Sequence, residues 1–202
     1  MKKSIAFQNL PEDYQKIDQF DLNENRGLVL ILNLVGLGIL FGVGWLLVQS
    51  LTLLRPEYLS SENVLVITGM REFWRGVLLL VASLGLMILL NESIRGLIFL
   101  IITRRLPKIR LRGFFQTNYA SKWFLPRWAY LTIRLLPILI VTILGLGALP
   151  LVPLNMVPGV MLLVAMNIAT SPGDFLTAYW LLRRPKDILV QDNGDCIDIF
   201  QA

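Results

Sequence analysis

Four long apolar segments constrain this chain more than any other feature of its sequence. Residues 27–54 carry no charge, and residues 76–103, 128–149 and 159–182 form three more segments long enough to cross a bilayer, for which a helix needs about 20 residues. Only 16% of the residues are charged and 55% are hydrophobic, a balance typical of integral membrane proteins. We therefore predict an all-α integral membrane protein, with four transmembrane helices in a single membrane domain covering residues 1–202.

The two ends of the chain are more polar than the segments between them. Residues 1–26 are of mixed sign, and we expect a cytoplasmic arm that rests on the membrane surface. In the tail, 183–202, Asn193-Gly194 lies between two runs in which apolar residues alternate with polar ones. That pattern predicts a short C-terminal β-hairpin. Pro172-Gly173 predicts a kink in the fourth span.

The distribution of basic residues predicts the orientation. With four spans, both termini and the middle connection, 104–127, share one side, and that side holds 14 of the 19 lysines and arginines. Because cytoplasmic loops are enriched in lysine and arginine, we predict that both termini are cytoplasmic. The net charge of +5 is explained in the same way. We therefore expect the lipid bilayer as a partner and no nucleic acid, and the sequence indicates no oligomeric state.

Four charged residues lie inside the predicted spans. Counted from the basic ends of the spans at helical rise, Arg95 and Asp174 lie about 14 Å deep, Glu92 about 18 Å and Arg134 about 10 Å. Intramembrane charges are costly and indicate a functional site unless they only support packing. We expect Arg95 to pair with Asp174, and a Glu92–Arg95 pair is the competing arrangement. Two other readings stay open: that these residues only set helix register and packing, and that Arg134 extends to the interface.

The absence of histidine excludes several chemistries. No residue of the chain is a histidine, so no imidazole can bind a metal or act as a base. The single cysteine, Cys196, has no histidine partner, and we interpret it as incidental rather than as a nucleophile.

Several short motifs resemble those of a known family, the putative zincin peptidases, which are bacterial membrane proteins. The similarity lies in an N-terminal motif, a middle motif and a C-terminal group of motifs. These are Leu10-Pro11-Glu12-Asp13-Tyr14, then Trp123-Phe124-Leu125-Pro126-Arg127, then Ser171-Pro172-Gly173-Asp174, Leu181–Asp187 and Asp192-Asn193-Gly194-Asp195.

The resemblance implies a zinc site that this chain has altered. The family carries H-E-x-x-H on its second helix, and a downstream Gly-Asp resembles the third ligand. Here the motif positions read Asn91-Glu92-Ser93-Ile94-Arg95, while Asp174 is retained. Asparagine is a poor zinc ligand and arginine is none, because its guanidinium stays protonated. We therefore expect zinc in relatives but predict no metal and no cofactor here, with the Arg95 guanidinium supplying the charge that the metal would supply.

Three functions remain open at this point. The first is a zincin-like pseudoenzyme in the bacterial plasma membrane that binds or scaffolds other membrane proteins. The second is a hydrolase with an altered site, in which Glu92 and Asp174 act as acid and base or hold a hard metal ion. The third is a transporter or ion-path component that uses the buried acids as a relay.

Overall fold

A computed structural model describes residues 6–7, 9–21, 25–58, 69–104, 110–112, 116–118, 123–193 and 196–202. It contains four helical segments long and apolar enough to cross a membrane. The predicted fold class is confirmed in this respect: the chain is a mostly helical integral membrane protein with four long apolar helices and a C-terminal hairpin. The cytoplasmic location of the termini and the single domain stay predictions.

The helices follow the predicted spans with two differences. The first three are α1 (Arg26–Leu54), α2 (Met70–Thr103) and α3 (Arg127–Ala148). Helix α2 begins before the predicted residue 76, because hydropathy detects only the apolar part of a helix and not its polar first turns. The fourth span consists of two helices, α4 (Val157–Ala169) and α5 (Pro172–Leu182). The break lies at the predicted kink, since proline lacks an N–H group but suits the first position of a new helix.

The arm, the tail and the last residues of the middle connection together form a small antiparallel sheet. Its strands are β1 (Gln15–Asp21), β4 (Leu125–Pro126), β5 (Leu189–Asp192) and β6 (Cys196–Gln201), in the order β1-β6-β5-β4. The predicted hairpin is the β5–β6 pair, with Val190 opposite Ile199. The arm had been expected only to rest on the membrane, but in the structure it supplies the edge strand β1, which pairs with β6.

Parts of the predicted connections lie outside the described residues. Of the turn Asn193-Gly194, Gly194 is not described, and neither are residues 105–109, 113–115 and 119–122 of the basic middle connection. Within that connection, the backbone of β2 (Arg110–Arg112) pairs with that of β3 (Gln116–Asn118) in a second, two-stranded sheet.

Residues 1–32, 92–137 and 173–202 form one compact unit, called here the first unit. Its core combines apolar side chains of three helices with those of the sheet, among them Phe99, Ile133, Leu181, Val190 and Ile199. The Phe20 ring of β1 stacks on Trp180 of α5, with the ring centroids 4.8 Å apart. Asp18 forms an ion pair with Arg184, so the edge strand is fixed to the end of α5.

Residues 33–91 and 138–172 form the second unit. Its core contains Leu47 and Leu51 of α1 together with Val157 and Val164. Arg55, just after α1, donates from Nη1 to the carbonyl oxygen of Val152 at 2.6 Å. A guanidinium therefore satisfies a backbone acceptor in the connection between α3 and α4.

Close helix approach in the second unit depends on two glycines. A Cβ atom at Gly36 would lie 2.5 Å from the carbonyl oxygen of Ala169, and one at Gly145 would lie 2.3 Å from Val164 Cγ2. Both distances are too short for a side chain, so only glycine permits these contacts.

Candidate functional site

Glu92 and Arg95 lie one turn apart on α2 and form an ion pair. Arg95 Nη1 donates to Glu92 Oε1 at 2.8 Å, and the two side chains are 23% and 20% exposed. Residues three apart in a helix are neighbours on its surface. The pair can therefore form within α2 alone, whatever the packing of α2 against other helices. The helix thus brings together the glutamate and the final position of the altered motif.

The expected pair between Arg95 and Asp174 was wrong, because Asp174 binds a different arginine. Arg134 of α3 donates from Nε to Asp174 Oδ1 at 2.6 Å, and the two side chains are 25% and 19% exposed. Asp174 lies in the first turn of α5. Arg134, which was predicted to lie nearest the membrane surface, is therefore the counter-ion of Asp174, the residue to which the resemblance assigns the position of a third ligand.

Arg134 also contacts two residues that sequence reasoning missed. Its Nη1 donates to the Tyr130 hydroxyl and lies 3.4 Å from Asp192 Oδ2. The Tyr130 hydroxyl donates to the same Asp192 oxygen at 2.8 Å. Tyr130 precedes Arg134 by one helical turn, which was a usable signal. Asp192 ends β5, and nothing in its local sequence indicated that it would reach α3.

Asn91, at the first position of the altered motif, is bound to α4 in the second unit. Its Nδ2 donates to Asn167 Oδ1 at 2.7 Å. Asn167 is buried and donates from its own Nδ2 to the Ile138 carbonyl oxygen and to Thr142 Oγ1, each at 2.9 Å. Asn167 and Thr142 were not predicted as site residues, because an uncharged polar residue inside an apolar span gives a weak signal.

The residues in the three implied ligand positions do not fit a zinc ion. Asn91 uses its amide N–H to bind Asn167, and Arg95 offers only N–H donors, whereas a metal ligand must supply a lone pair. Asp174 could supply one, but its Oδ1 accepts a hydrogen bond from Arg134. In the part of the chain that is described, no three acidic or cysteine side chains come together in a way that could hold a metal ion.

The thiol of Cys196 lies outside the spans, in β6. Burial raises its pKa, and the nearby Asp198 carboxylate raises that pKa further. The thiol therefore stays protonated near neutral pH, and only a thiolate is an effective nucleophile.

Comparison with known proteins identifies one family. No curated protein and no solved structure matches the chain. The family model described as putative zincin peptidase matches residues 84–189. This range includes Asn91, Glu92, Arg95, Arg134 and Asp174, and it covers about half of the chain. The chain belongs to the putative zincin peptidase family.

Proposed function

We propose that this protein is a zincin-like pseudoenzyme of the bacterial plasma membrane, which binds or scaffolds other membrane proteins instead of hydrolysing them. The observation that carries this proposal is the hydrogen bond from Arg95 to Glu92. In a zincin, the glutamate must face a metal-bound water and take its proton. Here a permanently charged guanidinium binds that carboxylate, so Glu92 acts as a counter-ion.

Charge balance within the first unit supports the same interpretation. An isolated charge at the centre of a membrane helix costs roughly 2.5–3.5 kcal/mol on an insertion scale. Glu92 with Arg95, and Asp174 with Arg134, are neutral pairs. The two arginines thus supply the positive charge that a zinc ion would otherwise supply, and the family's helices can persist without its metal.

The altered hydrolase receives less support from these contacts. A carboxylate that acts as acid or base needs to exchange a proton with a substrate or a water molecule. In this protein an oxygen of each carboxylate is directed at an arginine instead. Glu92 and Asp174 each accept a hydrogen bond from that arginine, so the pseudoenzyme is the better account.

A double-mutant cycle tests whether Glu92 acts as a counter-ion. Glu92→Gln and Arg95→Gln should each lower the free energy of unfolding by roughly 1–3 kcal/mol, the cost of leaving a buried hydrogen-bonding partner unsatisfied, because each leaves one charge unpaired in a partly buried setting. The double variant should lose clearly less than the sum of the two single losses. The free energies are measured by denaturant unfolding in detergent micelles.

Ser93→Ala is the matched control for this cycle, since Ser93 is exposed on the same turn of α2; we expect no change in stability. Additive losses, or a Glu92→Gln variant more stable than wild type, would contradict the proposal. The second result is the one expected of a carboxylate held in place for catalysis.

A further inference from the structure

Three arginines lie close together where α5 ends and α3 begins, and two of them are used within the protein. Arg127 donates from Nη1 to the carbonyl oxygen of Arg184 at 2.6 Å. The Arg184 side chain forms an ion pair with Asp18, and its guanidinium carbon lies 5.2 Å from the centroid of the Trp180 ring. These two arginines therefore hold the end of α5 against α3 and the sheet.

Among the described residues, the third arginine, Arg183, has no such partner. Its guanidinium carbon lies 4.4 Å from the centroid of the Tyr179 ring, and the side chain is exposed. Within the described part of the chain neither Arg183 nor the exposed Lys186 forms an ion pair. The tyrosine face orients the guanidinium without using its N–H groups, so the hydrogen-bonding edge of Arg183 is available to a ligand.

Below Arg183, α5 exposes a continuous apolar stripe. Phe175 is 51% exposed, Tyr179 52% and Leu182 60%. Tyr179 and Leu182 follow Phe175 by four and seven residues, so the three side chains lie on one face of the helix. They form one stripe that ends next to Arg183. An apolar stripe that ends at a cationic side chain complements an amphiphile, whose acyl chain can lie on the stripe while its anionic head binds the cation.

We propose that this face of α5 is a binding site for one anionic phospholipid. The lipid phosphate is held by the fork of Arg183, with Lys186 as a second cation, and an acyl chain lies along the stripe (Phe175, Tyr179 and Leu182). Guanidinium binds phosphate through two parallel hydrogen bonds. A zwitterionic headgroup binds less well, because its own cation is repelled by the two basic side chains.

Lipid retention by the full-length protein in neutral detergent tests this site. An equimolar mixture of phosphatidylglycerol and phosphatidylcholine is added, unbound lipid is removed, and mass spectrometry of the intact protein measures what stays bound. Wild type should retain phosphatidylglycerol preferentially. Arg183→Gln should reduce that preference about fivefold, as expected for loss of one basic residue at an anionic headgroup. Added inorganic phosphate should not displace the lipid, because it cannot occupy the stripe.

Arg71→Gln is the matched control, since Arg71 is also an exposed arginine near the end of a span, and we expect it to keep the wild-type preference. The proposal is overturned if Arg183→Gln keeps the preference, if Arg71→Gln loses it equally, or if inorganic phosphate displaces the lipid. Arg183→Lys keeps the positive charge but loses the two parallel hydrogen bonds of the guanidinium, so it should give an intermediate preference for phosphatidylglycerol. A preference equal to that of wild type would overturn the assignment of the phosphate to these two hydrogen bonds.

Discussion

Replacement of Arg134 by glutamine is expected to lower the free energy of unfolding by about 3 kcal/mol, the lower end of the range for removing one partner of a buried ion pair, because Arg134 and Asp174 are 25% and 19% exposed. Arg134 Nε lies 2.6 Å from Asp174 Oδ1, and its Nη1 lies 3.4 Å from Asp192 Oδ2. Glutamine cannot neutralise either carboxylate. The measurement is denaturant unfolding in detergent micelles, combined with hydrogen exchange in β5 and β6. Exchange there should become faster, because Asp192 loses its ion pair with α3, although it keeps the hydrogen bond from Tyr130.

Two further variants separate charge from geometry at this position. Arg134→Lys keeps the charge but loses the planar fork, so it should cost less than Arg134→Gln. Adding Asp174→Asn to Arg134→Gln removes the uncompensated carboxylate and should restore part of the loss. A loss below about 1 kcal/mol for Arg134→Gln, which is the value for exposed surface pairs, would show that the contacts of Arg134 do not hold the first unit together.

The second large effect is expected in the second unit, where Asn167→Leu should lower the free energy of unfolding by about 2–3 kcal/mol. Asn167 is 1% exposed and bonds Asn91, the Ile138 carbonyl oxygen and Thr142 Oγ1. Hydrogen bonds between membrane helices contribute about 0.6 kcal/mol on average and at most about 1.7 kcal/mol, and the leucine removes three of them. Unfolding in the same micelles gives the loss.

Thr142→Val provides a graded control for this prediction, because it removes only one of the three hydrogen bonds. Its loss should be about 0.6 kcal/mol, the average for one such bond. Equal losses for the two variants would mean that Asn167 does not join α2, α3 and α4 as its contacts indicate.

The transmembrane helices and the hairpin could be predicted from sequence because their signals are local. In lipid, the backbone N–H and C=O groups of a long apolar segment must form hydrogen bonds with one another, which makes the segment helical. An Asn-Gly pair between two alternating runs favours a tight hairpin turn. The break before Pro172 was predictable for the same reason, since proline alone removes the donor.

The pairing of charges could not be predicted, because depth does not determine rotation. Counting residues placed Glu92, Arg95, Arg134 and Asp174 in one layer, but which carboxylate faces which guanidinium depends on how each helix turns about its axis. That rotation is set by packing, such as the stacking of Phe20 on Trp180 of α5, which involves residues far apart in sequence. The strand β1 was missed for a related reason: its partner β6 lies at the other end of the chain.

The most direct measurement of the central claim is the zinc content of the purified full-length protein, after exposure to zinc and removal of loosely bound ions. If two arginine–carboxylate pairs have replaced the metal, zinc should not remain bound in a fixed proportion to protein. The zinc content of the Glu92→Gln and Asp174→Asn variants should equal that of wild type. Stoichiometric zinc that is lost when Glu92 or Asp174 is changed would contradict the claim.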